Sequence, residues 1–111
     1  KKSYRAMTKS RLIGFGQRQD NCAPSCFTQV VGYNYGLGIV RSGAWMLQNP
    51  LLSGYAATMA YLPKKDVAIA VSVTFGEKAF DAEGSYPNAS DGIFREIRAL
   101  MAPKDAPPVK R

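Results

Sequence analysis

Residues 67–75 read Val-Ala-Ile-Ala-Val-Ser-Val-Thr-Phe, with a branched or aromatic side chain at every odd position and a small one at every even position. Side chains of a strand alternate between its two faces, so this run is an extended segment with one bulky face and one thin face. A strand of that kind belongs in the middle of a layered structure, and the thin face from Ala68 to Thr74 is expected to be where a helix lies tightly across it. The helix is identifiable. Ile93, Phe94, Ile97, Leu100 and Met101 fall on one stripe at helical spacing, leaving Arg95, Glu96 and Arg98 outside. Asn88 or Ser90 can cap its start, Asp91 complements the positive end of its dipole, and Pro103 stops it.

The rest of the regular structure precedes that strand. Residues 55–62 form another extended run, joined to residues 67–75 through Pro63-Lys64-Lys65-Asp66. Residues 33–41 alternate Tyr35, Leu37 and Ile39 with Gly36, Gly38 and Val40, which reads as one strand whose bare face admits another backbone at close range. Ser42-Gly43 turns the chain, and residues 44–48 return with Trp45 and Leu47 on one face. Asn49-Pro50 and Ser53-Gly54 then break the pattern, because proline removes a ladder donor and glycine relaxes the backbone. The expected fold class is α+β: an antiparallel sheet of about four strands with a C-terminal helix packed on one face.

Three segments follow. Residues 1–32 read as the last turns of a helix, over about residues 1–8, plus a long loop with a Cys pair; residues 33–103 hold the sheet and helix; residues 104–111 are a Pro-rich, charged tail expected to be mobile. The chain opens on Lys1 rather than Met, as a processed product, an engineered piece or a fragment would.

A length of 111 residues supports one core. The net charge of +7 suggests nucleic acid, but its distribution does not: residues 1–20 carry six basic residues against one acid, residues 21–103 six against six, and residues 104–111 three against one. The folded middle is neutral and offers no basic block interleaved with aromatics, so nucleic-acid binding is disfavoured. No apolar run is long enough to form a transmembrane segment.

Cys22 and Cys26 enclose Ala-Pro-Ser in a polar stretch, and the chain has no His. A zinc site would lack ligands, so no metal or cofactor is expected. A small disulfide loop is favoured over two free thiols, and a disulfide implies an oxidising location, secreted or in a cell envelope. Without His there is no Ser-His-Asp or Cys-His catalysis. A Ser/Lys pair needs Lys three residues after Ser on a helix, and no Ser here has one. No catalytic residue is therefore assigned. Asp81 and Glu83 read as solvated loop carboxylates.

The succession of these residues carries a resemblance. Tyr35-Gly36-Leu37-Gly38-Ile39, Trp45, a polar break, residues 54–63 reading Gly-Tyr-Ala-Ala-Thr-Met-Ala-Tyr-Leu-Pro, an Ala/Val strand and a terminal helix resemble the C-terminal part of the serine β-lactamase and penicillin-binding-protein family, in the branch of class C enzymes and esterases. The resemblance covers residues 33–103 and implies a fragment of the serine β-lactamase-like fold. It also implies an acyl-enzyme hydrolase of the bacterial envelope, acting on an ester, a peptide or a β-lactam. The nucleophile, its Lys and the Tyr base would lie before Lys1, in the remainder of the parent catalytic domain.

The family's substrate-holding triplet, Lys-Thr-Gly or His-x-Gly, falls at Gln48-Asn49-Pro50, which departs from it at all three positions. Gln48 and Asn49 can still donate hydrogen bonds to a substrate, while the missing cation points away from β-lactamase activity and towards an esterase-like or inactive parent. The alternative at these residues is a plain strand end. The family's Tyr-x-Asn motif has a formal match at Tyr86-Pro87-Asn88, in the wrong order relative to the strands, and Asn88 already serves as a helix cap. A second class of function is a non-catalytic binding or structural domain with the same layout. In the family both sheet faces are covered, so a fragment is expected to expose an apolar face containing some of Trp45, Leu47 and Tyr55, and to associate as a homo-oligomer with exchanged strands or helices.

Overall fold

A computed structural model describes residues 1–16 and 28–106; Cys22, Cys26 and residues 107–111 lie outside the described residues. The architecture is α+β, a curled antiparallel sheet with a C-terminal helix. A short helix α1 (Lys2–Thr8) leads into β1 (Asn34–Tyr35), β2 (Val40–Ser42), β3 (Trp45–Gln48), β4 (Leu51–Leu52), β5 (Tyr55–Leu62) and β6 (Val67–Thr74), and α2 (Ala89–Met101) follows. Among the described residues six strands thus replace the expected four.

One of the two extra strands comes from residues 33–41. They are not one strand: β1 and β2 pair antiparallel, Asn34 with Arg41 and Tyr35 with Val40, and residues 36–39 turn the chain between them. The reason lies in the glycines. Gly38 takes φ +73°, which a side chain resists, and the Gly36 N–H closes the turn on the Ile39 carbonyl at 2.8 Å. The close backbone approach expected at the bare glycines occurs at Gly36, where a Cβ would stand 2.1 Å from the Met7 carbonyl oxygen. That carbonyl also accepts the Leu37 N–H at 3.0 Å, and Arg41 donates to the Thr8 carbonyl at 3.3 Å, so the end of α1 is fixed to the β1–β2 turn.

The other extra strand follows from Pro50. β3 pairs with residues 59–61 of β5 and β4 with residues 55–56, so both lie along one edge of β5, separated by Asn49-Pro50. The full length of β6 pairs along the other edge, from Leu62 opposite Val67 to Tyr55 opposite Thr74.

The helix sits on the face opposite to the one expected. Ile69 is buried and Val67 and Val71 pack against the core with Phe94 and Ile97, whereas Ala68, Ala70 and Ser72 are exposed. The small residues that admit the helix come from the neighbouring strand: Ala56, Thr58 and Ala60 of β5 are buried opposite Val73, Val71 and Ile69. This choice buries the branched side chains of β6, each CH2 contributing about 0.8 kcal/mol, and leaves the alanines to solvent. Trp45 (0 % exposed) and Leu47 (4 %) also lie beneath α2, and the Trp45 ring meets Phe94 edge-on at 5.5 Å. They are core residues rather than part of an open face; of the three expected there, only Tyr55 is exposed.

α2 is rotated about its axis from the expected position. Its buried line is Ser90, Phe94 and Arg98, continued by Ala102, while Ile93, Leu100 and Met101 are exposed. Two polar anchors set this rotation, Ser90 on Thr58 of β5 and Arg98 on Ser42 of β2. Beyond the helix, Pro103 opens a short 3-10 turn in which Asp105 pairs with Lys64 at 3.0 Å and Lys65 at 3.4 Å. The first residues of the expected tail are therefore held on the β5–β6 turn. No described helix is long and apolar enough to cross a membrane.

Candidate functional site

Asn49 stands where β3 gives way to β4, and polar side chains from three elements converge there. The Tyr33 hydroxyl donates to Asn49 Oδ1 at 3.2 Å, and Asn88 Nδ2 donates to the Asn49 carbonyl at 3.3 Å. Ser90 Oγ donates to Asn88 Oδ1, and Thr58 Oγ1 lies 2.9 Å from Ser90 Oγ. Ser90 has one hydrogen and gives it to Asn88, so Thr58 is the donor in the last pair. The chain of bonds runs from the partly buried Tyr33 through the first turn of α2 to the fully buried Thr58. It satisfies groups that would otherwise be desolvated without partners.

Asn88 occupies the N-cap position without a side-chain bond to the helix backbone. Its amide instead links α2 to the strand break, a role that capping statistics do not suggest. Asp91 lies in the first turn, as expected, and pairs with Arg95 Nε at 2.7 Å.

Tyr33 is the titratable group of this cluster. Burial pushes its hydroxyl up to about 12, helped by its bond and proximity to Tyr35 and by the charge of Asp91, against the opposing bond to Asn49. The phenol therefore stays protonated and acts as a donor, not as a base. At the far end of α2, Arg98 is 3 % exposed; its Nη1 donates to Ser42 Oγ at 3.1 Å and its guanidinium lies 5.2 Å from the centre of the Phe94 ring. Burial is the main force lowering its proton affinity, with Arg95 adding to it and Asp91 opposing. Among the described residues its Nε and the buried Trp45 Nε1 have no hydrogen-bond partner.

Gln48 and Asn49 do not converge. Gln48 is opposite Met59 on the sheet face away from α2, at the polar end of a shallow apolar groove lined by Ile39, Met46, Met59, Tyr61, Ala68 and Ala70. Its Nε2 donates to the Gly38 carbonyl at 2.6 Å, tying the β1–β2 turn to the end of β3. Asn49 is bonded to Tyr33 and to the start of α2. β2 pairs with β3 only as far as Val40 opposite Leu47, so this edge loses its strand partner from Gln48 onward.

Among the described residues no group of His, Cys, Asp or Glu could hold a metal ion. Asp81 organises its loop rather than standing free in solvent: its Oδ1 accepts the N–H groups of Glu83 (3.1 Å) and Ser85 (2.7 Å). Tyr86 packs on Phe75 and Phe80, with ring centroids at 4.3 and 5.2 Å. What the described residues offer is a set of hydrogen-bond donors at a strand break, with no nucleophile–base pair. Thr58 and Tyr33 were not singled out from sequence; the signal for Thr58 is a hydroxyl between Ala56 and Ala60 on a strand face. No protein family, curated protein or solved structure compared with the chain matches it.

Proposed function

We propose that this chain is the sheet-and-helix part of a serine hydrolase of the β-lactamase, penicillin-binding-protein or esterase type, supplying a substrate-holding strand edge but not the nucleophile. The observation that carries the reading is the break at Gln48-Asn49-Pro50, where the edge of β3 loses its strand partner and two amide side chains flank it. That is where the resembling family keeps its substrate triplet. An edge of this kind presents backbone and side-chain donors to a carbonyl oxygen, which is the task of an oxyanion site. The acyl-enzyme serine and its base belong to polypeptide outside these residues. With neither Lys nor His at the triplet, an ester suits the site better than a substrate whose carboxylate must be held.

The test is to express the complete reading frame that encodes these residues and treat the protein with fluorescent fluorophosphonate and penicillin probes. One serine within a Ser-x-x-Lys segment should be labelled, with labelling lost on its replacement by Ala, and Gln48→Ala should raise KM more than it lowers kcat. A frame with no such segment, or a folded product that no probe labels, overturns the hydrolase reading.

A second reading, a non-catalytic binding or structural domain, is favoured by one observation: both amides are engaged within the chain, Gln48 on Gly38 and Asn49 on Tyr33. It requires the full-length protein to remain unlabelled.

A further inference from the structure

Residues 1–16 carry Lys1, Lys2, Arg5, Lys9 and Arg11 and no acid, whereas residues 28–106 carry seven basic residues against seven acids. The net charge of the described chain therefore sits on its first segment. All five cations there are exposed, and none belongs to an ion pair among the described residues. Lys1, Arg5 and Lys9 recur at four-residue spacing along α1 and share one side of it. Tyr4 and Met7 share the other, which lies towards the sheet: the Tyr4 hydroxyl is 3.7 Å from Met46 Sδ. The charged side faces away from the strands.

After α1 the chain presents an apolar turn. The Phe15 N–H donates to the Leu12 carbonyl at 2.8 Å, closing a β-turn over Ile13-Gly14. The Gly14 N–H donates to the Gln29 carbonyl and the Gln29 N–H to the Phe15 carbonyl, both at 2.8 Å. Gln29 Oε1 in turn accepts the Tyr35 N–H at 2.9 Å, so the turn is fixed beside β1, next to the element on which α1 ends. Turns usually carry Gly, Asn, Asp or Ser at their exposed positions. Here Leu12, Ile13 (51 % exposed) and Phe15 (69 %) stand out into solvent. Backbone bonds hold this turn whatever its side chains, so the fold alone does not call for apolar ones.

We infer that residues 1–16 form a docking surface for a lipid bilayer with anionic headgroups, with Leu12, Ile13 and Phe15 entering the boundary between headgroups and acyl chains and the five cations lying among the phosphates. An apolar tip ringed by cations is the composition that holds a chain at such a boundary. Single-stranded nucleic acid is held by ring platforms that stack on bases, and two of the three tip residues are aliphatic. A polypeptide, whether a second copy or a further segment of the same protein, would have to cover Lys1, Lys2 and Lys9, and lysine is depleted at protein interfaces. At a bilayer the lysine stems lie along the surface while their ammonium groups stay hydrated. The inference does not depend on the hydrolase reading.

The test is co-sedimentation of the 111-residue chain with vesicles of equimolar phosphatidylglycerol and phosphatidylcholine, alongside vesicles of phosphatidylcholine alone and a single-stranded oligonucleotide followed by fluorescence anisotropy. The chain should sediment with the anionic vesicles, not with the neutral ones, and high salt should weaken the association. Replacing Lys9 and Arg11 together by Gln should lower partitioning about 25-fold, at about fivefold per cation. Replacing Ile13 and Phe15 together by Ser should lower it about tenfold. Lys78→Gln, in the loop after β6, should leave it unchanged. All these side chains are exposed, and an unaltered melting curve by circular dichroism shows that each variant is folded. A wild type that stays in the supernatant, that binds neutral vesicles equally well, that prefers the oligonucleotide, or whose vesicle binding survives loss of Ile13 and Phe15 overturns the proposal.

Discussion

Arg98 gives the sharpest test of the energetics, because it is a cation between α2 and the sheet whose partners among the described residues are the neutral Ser42 hydroxyl and the Phe94 ring. Removing an ion from water costs several kcal/mol even after relaxation, and a buried cation recovers that only through a well-placed partner. Here the recoveries are a charge-assisted bond, about 1.5–3 kcal/mol, and a ring contact of about 1–2 kcal/mol. The Nε, unpartnered, adds to the deficit. The direction of the pKa shift agrees: a base whose proton affinity falls on folding carries its charge at a cost to the folded state throughout the neutral range.

Arg98→Met keeps length and apolar contact while deleting the charge, and should stabilise the fold by about 1–3 kcal/mol. At roughly 4 °C per kcal/mol for a domain of this size, the melting temperature rises by about 4–12 °C. Calorimetry on the wild type, Arg98→Met, Ser42→Ala and the double variant measures both this change and the coupling between the two residues. A lower melting temperature in Arg98→Met, or a coupling energy above about 3 kcal/mol, would show that the bond to Ser42 outweighs desolvation and refute the reasoning.

Phe94→Ala removes the ring that fills the space beside Trp45 and should cost about 3–5 kcal/mol in urea denaturation. Thr58→Val leaves the Ser90 hydroxyl buried without its donor and should cost about 1–3 kcal/mol, whereas pairing it with Ser90→Ala should cost less than the sum of the two single changes. Tyr33 has its pKa raised from 10.0 to about 12, so the stability it contributes is complete below pH 10 and is lost as pH rises towards 12; Tyr33→Phe should flatten alkaline unfolding in that window, followed by circular dichroism. Asp105 is held below the usual carboxylate range by the bond to Lys64, with further lowering from Lys65. The stability it contributes is present above the unfolded value and lost as pH falls through the folded one, and Asp105→Asn should make the acid branch of the melting-temperature profile shallower.

The strands that were legible are those whose side chains alternate without interruption. β5 and its turn into β6 are visible in residues 55–75 because the hydrophobic pattern and the Pro-Lys-Lys-Asp turn agree. Residues 33–41 misled because glycines mimic the bare face of a strand, and it is the positive φ of Gly38 and the bond from Gly36 to Ile39 that make them a turn. The helix was legible in extent but not in rotation. Hydrophobic spacing alone favours Ile93, Leu100 and Met101 as the buried stripe, and it has no means of registering that Ser90 and Arg98 find partners on the sheet. The same gap hid the candidate site: Gln48 and Asn49 are adjacent in sequence but belong to opposite faces of the sheet, and the bonds that join Asn49 to Tyr33 and Asn88, and Ser90 to Thr58, cross long stretches of chain.

The clasp between Asp105 and the Lys64-Lys65 turn also bears on the order of assembly. It closes a unit of consecutive elements, β5, β6 and α2, in which β5 and β6 pair along their whole length through the turn at residues 63–66 and α2 returns onto them after residues 75–88. Of β1 to β3, β3 is the one that pairs with β5, so β1 and β2 join the sheet through it. Folding should therefore start in the C-terminal half of the molecule and proceed backwards along the sequence, with β3 joining before β2 and β1, and α1 coming to rest on Gly36 last.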